Sequence, residues 1–194
     1  MVITAALLAC AINAAQGTDV HPNTMEKIIA GESSANELAI NINHWPGRQP
    51  HPETVEEAIA IATRLIAEGR SIDMGLTQIN NRNLASLRYS VADAFDPCKN
   101  IAGGGTILTS FYGAAVERYG AGRPALIAAI SAYNTGSFWR GVENGYVSRI
   151  MGIPSLQVQV AHATTPHAAP RKPDDPFYAS TAVYTSVALN IRID

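Results

Sequence analysis

Apolar positions recur three and four residues apart along several stretches of the chain, and this rhythm predicts a mainly α-helical protein. His21-Pro22-Asn23 opens one such stretch. Pro22 suits a first helical turn, where its missing N–H has no partner to lose. Met25, Ile28 and Ile29 follow on one face, and the next residue on that face is Glu32. A second helix is predicted from Pro52, with Val55, Ala58, Ile59, Ala62, Leu65 and Ile66 as its stripe. Glu53, Glu56 and Glu57 lie at its positive end, where carboxylates are favoured, and Gly69 is placed to end it. Asp96-Pro97 opens a third, whose stripe runs through Cys98, Ile101, Gly105, Leu108, Tyr112, Ala115, Val116 and Tyr119. Gly103, Gly104 and Gly105 cost helix stability there, and a close approach by another helix is one reason to tolerate them. Gly120 closes it. Pro124 starts a fourth helix with Leu126, Ile127, Ile130 and Tyr133 apolar, and a last one is predicted over Phe138–Met151.

The first fifteen residues are apolar and small, and they admit two readings. A signal peptide or lipoprotein site, with Cys10 after Leu7-Leu8-Ala9, lacks its positive leader, because Lys27 is the first basic residue. A helix with Leu7, Leu8, Ala11 and Ile12 turned inward is preferred. After Gly152 the pattern stops. Pro166, Pro170, Pro173 and Pro176 mark an extended linker, followed by a β-prone end over 181–193. The expected organisation is a helical domain over residues 1–151 and a flexible Pro-rich tail over 152–194. The tail either adds a strand to another protein's sheet or simply stays flexible, and the second is preferred.

Composition narrows the class of function. Of 194 residues, 47% are hydrophobic and 15% charged, which suits a packed core and not disorder. A net charge of -2 gives no reason to expect nucleic acid or an anionic membrane as partner. No apolar run approaches the roughly 20 residues of a transmembrane segment. His21, His44, His51, His162 and His167 show no metal-ligand spacing, and two distant cysteines make no zinc site, so no metal and no cofactor is expected. Gly103–Gly105 lacks the Lys-Ser/Thr ending of a phosphate loop. Cys10 and Cys98 are either two buried thiols or, in an exported chain, one bridge. The bridge is preferred, and a loop of about ninety residues credits it with roughly 4–5 kcal/mol.

Glu32 is the first candidate for chemistry. A carboxyl on an apolar stripe is partly desolvated, which raises its pKa, and an acid still protonated near neutrality can donate to a leaving oxygen. Glu32 also stands at a helix end, where it can turn outward to water; spacing alone leaves both readings open.

Three further motifs bear on that choice. Glu32-Ser33 is followed by Gly75-Leu76-Thr77-Gln78-Ile79 and then by Ala132-Tyr133-Asn134-Thr135-Gly136, with Tyr146-Val147 and Arg149 later. In this order and spacing the chain resembles the soluble lytic transglycosylases of the lysozyme-like superfamily, over roughly residues 7–151. Cys10 ahead of His21-Pro22, and the run Phe95-Asp96-Pro97-Cys98-Lys99-Asn100, look like the branch attached to type IV secretion and conjugation machines.

The resemblance implies a lysozyme-like helical domain acting on peptidoglycan glycan strands in the periplasm, opening the wall for such a machine. Glu32 would be the one catalytic acid, forming a 1,6-anhydro-muramic product. Ser33, Gln78, Ile79, Tyr133 and Asn134 would orient it or contact sugar, Tyr133 by a hydrogen bond to Glu32; helix or turn capping and core packing are their plainer roles. Secretion-machine subunits are implied partners, through the tail. Asp73 and Glu37 read as surface or loop charges and not as a second catalytic group. Three positions depart from the pattern: Thr77 replaces the usual Met and makes the groove wall more polar, Glu37 replaces a common Pro, and Ser34 a frequent Gly. Two alternatives stand beside lytic transglycosylation: hydrolysis of the same bond, as in goose-type lysozyme, and a non-catalytic wall-binding scaffold.

Overall fold

Helix punctuation in the sequence is obeyed closely in the computed structural model, which describes residues 5–18 and 20–152. The side chain of Leu8 and everything from residue 153, including the tail and its β-prone end, lie outside the described residues. The first helix, α1, spans Ala5–Thr18. Leu7, Cys10, Ala11 and Ala14 bury its inner face, but Ile12 is 46% exposed. Ile12 is two residues, about 200° of rotation, from both Cys10 and Ala14, which puts it on the far side of the helix. Helix α2 spans Pro22–Glu32 and is capped by His21, whose Nδ1 accepts from the Asn23 N–H at 3.2 Å. Met25, Ile28 and Ile29 are fully buried, as the stripe requires.

Helix α3, Val55–Ala67, begins three residues after Pro52. Thr54 is its cap, accepting from the Glu57 N–H at 3.2 Å. Val55, expected inside, is left in the first exposed turn. Gly69 ends the helix at φ 76°. Its N–H donates to Ile66 O at 2.9 Å and that of Arg70 to Leu65 O at 3.0 Å, a turn that wants a residue free of Cβ crowding.

A small sheet lies between these helices and the long central one, and the helical periodicity does not predict it. Strands β1 (Ile40–Ile42), β2 (Ile72–Met74) and β3 (Ile79–Asn80) pair antiparallel in that order. Ile40 faces Met74, Asn41 faces Asp73 and Ile42 faces Ile72, while Asp73 and Met74 face Asn80 and Ile79. Side chains alternate across a strand. Ile40, Ile42, Ile72 and Met74 therefore share one face, packed on Ala58, Ala62, Leu65 and Phe95, and Asn41, Asp73 and Asn80 share the other.

A one-turn helix α4, Leu84–Leu87, leads through a short loop to α5, Pro97–Tyr119. Asp96 caps α5 by accepting from the Lys99 N–H at 2.8 Å. Helix α6 spans Arg123–Thr135. The single helix expected over 138–151 is instead two short ones, α7 (Arg140–Glu143) and α8 (Tyr146–Met151). Gly145, at φ 79°, turns the chain between them. The main core joins α1, α2, α5, α6 and α8 around Met25, Ile28, Ile101, Leu108, Ile130 and Tyr146. Each fully buried side chain of this size contributes on the order of 1.5–3 kcal/mol.

The glycine run of α5 is a place of close approach, by the end of α1 as well as by the turn and third strand of the sheet. A Cβ on Gly103 would lie 2.8 Å from Ile79 Cδ1, one on Gly104 2.6 Å from Thr77 Oγ1, and one on Gly105 2.8 Å from Thr18 Oγ1. Cys10 and Cys98 form a disulfide across 88 residues, tying α1 to the start of α5. Cys98 and Tyr119 are exposed, not on the buried stripe where the spacing puts them. Tyr119 meets Phe138 edge-on at 6.0 Å between ring centres.

Candidate active site

Glu32 is the last residue of α2 and only partly buried. Its carboxylate turns neither into the core nor into bulk water. Tyr146, at the start of α8, donates its hydroxyl to Glu32 Oε1. Burial pushes the Glu32 carboxyl up to about 7. The Tyr146 hydrogen bond opposes that rise, the negative charge of Asp73 adds to it, and Arg149 weakly opposes it. Of the two readings open from spacing, the structure thus selects the desolvated acid. A carboxyl poised near neutrality can give and retake a proton at little cost.

Tyr146 is 1% exposed, and burial together with the nearby Glu32 charge lifts its hydroxyl far above the ordinary tyrosine range. It stays a neutral donor at any working pH. The Arg149 guanidinium lies 5.3 Å from its ring centre.

The expected bond from Tyr133 to Glu32 is not made. Tyr133 reaches from α6 and donates instead to Thr77 O at 2.8 Å. It is still a neighbour of the acid, because the Glu32 charge raises its pKa after burial has done so. Ser33 donates to Leu76 O at 2.8 Å, with Ile29 O at 3.3 Å, so it ties the end of α2 to the turn between β2 and β3.

That turn is the Gly75–Gln78 segment. Gly75 at φ 73° and Gln78 at φ 51° both occupy the left-handed region. A side chain on Gly75 would strike Asn100 and the Ala94 carbonyl. Gln78 braces the turn from within, donating to Gly75 O at 2.8 Å and to Ala39 O at 3.4 Å. Ile79 is 1% exposed and faces the interior beside Gly103. Asn134 is exposed at the end of α6 and accepts from Asn144 at 3.1 Å.

Thr77 does not line a groove wall. It is fully buried, and its N–H and hydroxyl both reach Asn100 Oδ1 at 2.7 Å. Asn100 also donates to Met74 O at 2.9 Å and to Ala94 O at 2.7 Å. The polar residue in the usual Met position is thus matched by a buried amide on α5.

Asp73 is not a surface or loop charge. It stands in the middle strand of the sheet, on its polar face. Asn43 donates to its Oδ2 at 2.9 Å, Asn41 to the same oxygen at 3.5 Å, and Asn80 to its Oδ1 at 2.7 Å. Burial raises its pKa, and the three amides oppose the rise. Glu37 is exposed, as its position suggests. Tyr146 and the asparagine set were the parts missed from sequence. The signals present were the Tyr146-Val147 motif and the alternation of Asn with Ile in 40–43 and 79–80.

One helical domain thus holds a desolvated carboxyl, Glu32, at a helix end beside a short antiparallel sheet. Residues 9–147 match the Transglycosylase SLT domain, and the chain belongs to that family. Among its relatives, the type IV secretion system protein virB1 of Brucella abortus is 36% identical over 138 residues, 68% of this chain and 58% of that protein. Protein virB1 of Rhizobium radiobacter is 35% identical over 137 residues, 68% of this chain and 54% of its own length. Protein virB1 of Agrobacterium fabrum is 34% identical over 137 residues, with 68% and 53% covered. The chain therefore matches little more than half the length of these relatives. No solved structure matches it.

Proposed function

We propose that this chain is a lytic transglycosylase of peptidoglycan, acting in the periplasm. The observation that carries the reading is Glu32, a carboxyl held near neutrality by burial and aimed by a single tyrosine donor. Protonated Glu32 gives its proton to the oxygen joining N-acetylmuramic acid to N-acetylglucosamine. The C1–O bond breaks, and its electron pair leaves with that oxygen. The muramic C6 hydroxyl then bonds to C1 and returns its proton to Glu32. The product is a 1,6-anhydro sugar, and no water is consumed.

Tyr146 orients the acid in this scheme. Ser33, Gln78 and Tyr133 act through the Gly75–Gln78 turn that flanks it, and Asn134 is exposed for contact with sugar. The name of the Brucella relative, type IV secretion system protein virB1, supports a place beside an envelope-spanning secretion machine, where the chain opens the wall locally. The tail over 152–194 is the proposed contact to that machine's subunits.

The test is the product mass from purified peptidoglycan. Wild type should release anhydro-muropeptides and Glu32→Gln none. Products heavier by one water would replace transglycosylation with hydrolysis of the same bond. Clearing by Glu32→Gln equal to wild type would remove the catalytic reading and leave a wall-binding scaffold.

A further inference from the structure

The two carboxyl groups of this site are treated very unequally by their surroundings. Glu32 receives one hydrogen bond, from Tyr146. Asp73 receives three, from both neighbouring strands. An asparagine amide nitrogen donates and never accepts. Three of them around one carboxyl stabilise its ionised form and offer no acceptor for a carboxyl proton.

The sheet register builds this cage. Asn41 and Asn80 are the direct partners of Asp73 on either side. Asn43 lies two residues beyond Asn41, and both Asn43 and Asn80 also reach Ser71 Oγ, at 3.4 and 3.1 Å. The same strand is tied to the acid's helix, since Ser33 bonds the carbonyl of Leu76, three residues after Asp73. The two carboxyls therefore flank one turn, close enough for the Asp73 charge to act on Glu32 and on Tyr133.

We propose that Asp73 is the fixed anion of the site, a positioning residue that keeps the exchangeable proton on Glu32. Two desolvated carboxyls that feel each other's charge do not both ionise freely. Burial raises the pKa of both, but three amide donors hold the Asp73 charge against one hydroxyl for Glu32, so Asp73 keeps the charge and Glu32 the proton. The groups around Glu32 are Tyr146 and Arg149 from α8, Tyr133 from α6 and Asp73 from β2. Of these, only Asp73 is a like charge. Arg149 is opposite in sign but exposed, so solvent screens it. The inference rests on the proposed glycosidic cleavage at Glu32.

The experiment is a pH–rate profile of peptidoglycan solubilisation by the full chain, comparing wild type, Asp73→Asn and Asn43→Ala, with thermal melts as fold controls. Asp73→Asn removes the like charge. The alkaline limb, set by Glu32, should fall by about one pH unit, and kcat should drop roughly tenfold or more with KM within about twofold. Asn43→Ala removes one donor, so Asp73 takes up a proton more readily and the acidic limb should move up. An unmoved alkaline limb with kcat kept in Asp73→Asn overturns the proposal. So does a raised KM with kcat intact, which would make Asp73 a sugar contact only. If Asp73→Asn fails to fold, an unmoved acidic limb in Asn43→Ala overturns it alone. An active Glu32→Gln would instead overturn the glycosidic reading itself, whatever Asp73 does.

Discussion

Tyr146→Phe isolates the hydrogen bond on which the proton affinity of Glu32 depends. The phenol ring fills core space beside Ile150 and Val147, so phenylalanine keeps the packing and deletes one hydroxyl. Tyr146 is the only side-chain donor among the causes acting on Glu32, and its effect is to lower that pKa. A hydrogen bond to a charged acceptor contributes about 1.5–3 kcal/mol. At 1.36 kcal/mol per pKa unit, its loss should raise the Glu32 pKa by about 1–2 units above the present value of about 7. The direction is opposite to that expected for Asp73→Asn, because one change removes a stabiliser of the carboxylate and the other a repeller of it. The assay is kcat/KM for peptidoglycan solubilisation between about pH 5 and 10, where the alkaline limb reports the acid in the free enzyme. A limb that stays in place or moves down, in a variant that melts like wild type, would show that Tyr146 does not bond the ionised acid.

Other consequences can be measured directly. Glu32 binds its proton more tightly folded, at about 7, than at its ordinary value of 4.5. Wild type should therefore lose stability as pH rises from 4.5 to 7, by about 3 kcal/mol at most. Glu32→Gln should escape that loss, so in denaturant titrations it should exceed wild type at pH 8 and match it near pH 4. Asn100→Ala strips the partners of Thr77, Met74 and Ala94, and should cost about 2–4 kcal/mol in the same titrations. Reduction of the Cys10–Cys98 bridge, closing 88 residues, should lower unfolding free energy by up to about 4–5 kcal/mol, seen as a drop in melting temperature with reductant.

Much of the helical frame was legible because its signals are local. Pro22, Asp96 and Gly69 act within a turn of themselves, and the stripes of α2 and α5 repeat often enough to be counted. The sheet was not, since strands of two or three residues carry too few positions to show alternation. The acid itself stood out because Glu32 breaks an apolar face. Its partner did not, because nothing local distinguishes Tyr146 from Tyr133 as the donor to a group 114 residues away. Thr77 looked like a groove residue until Asn100, 23 residues on, supplied its buried acceptor. Asp73 looked like a loop charge because its three donors come from other strands or from beyond the turn.

The run of glycines at 103–105 has a bearing on any attempt to make this protein hardier. Swapping glycine for alanine inside a helix is an ordinary stabilising edit, worth about 1 kcal/mol where there is room. Helix α5 carries four candidates, and they divide sharply. Gly113 has nothing within 4 Å of an added methyl and should accept it with a gain. The other three are notches into which the Gly75–Gln78 turn, the third strand and the end of the first helix are fitted. A thermostability screen should therefore enrich alanine at 113 and discard it at 104, where the methyl would lever Thr77 and the Tyr133 hydroxyl away from their places.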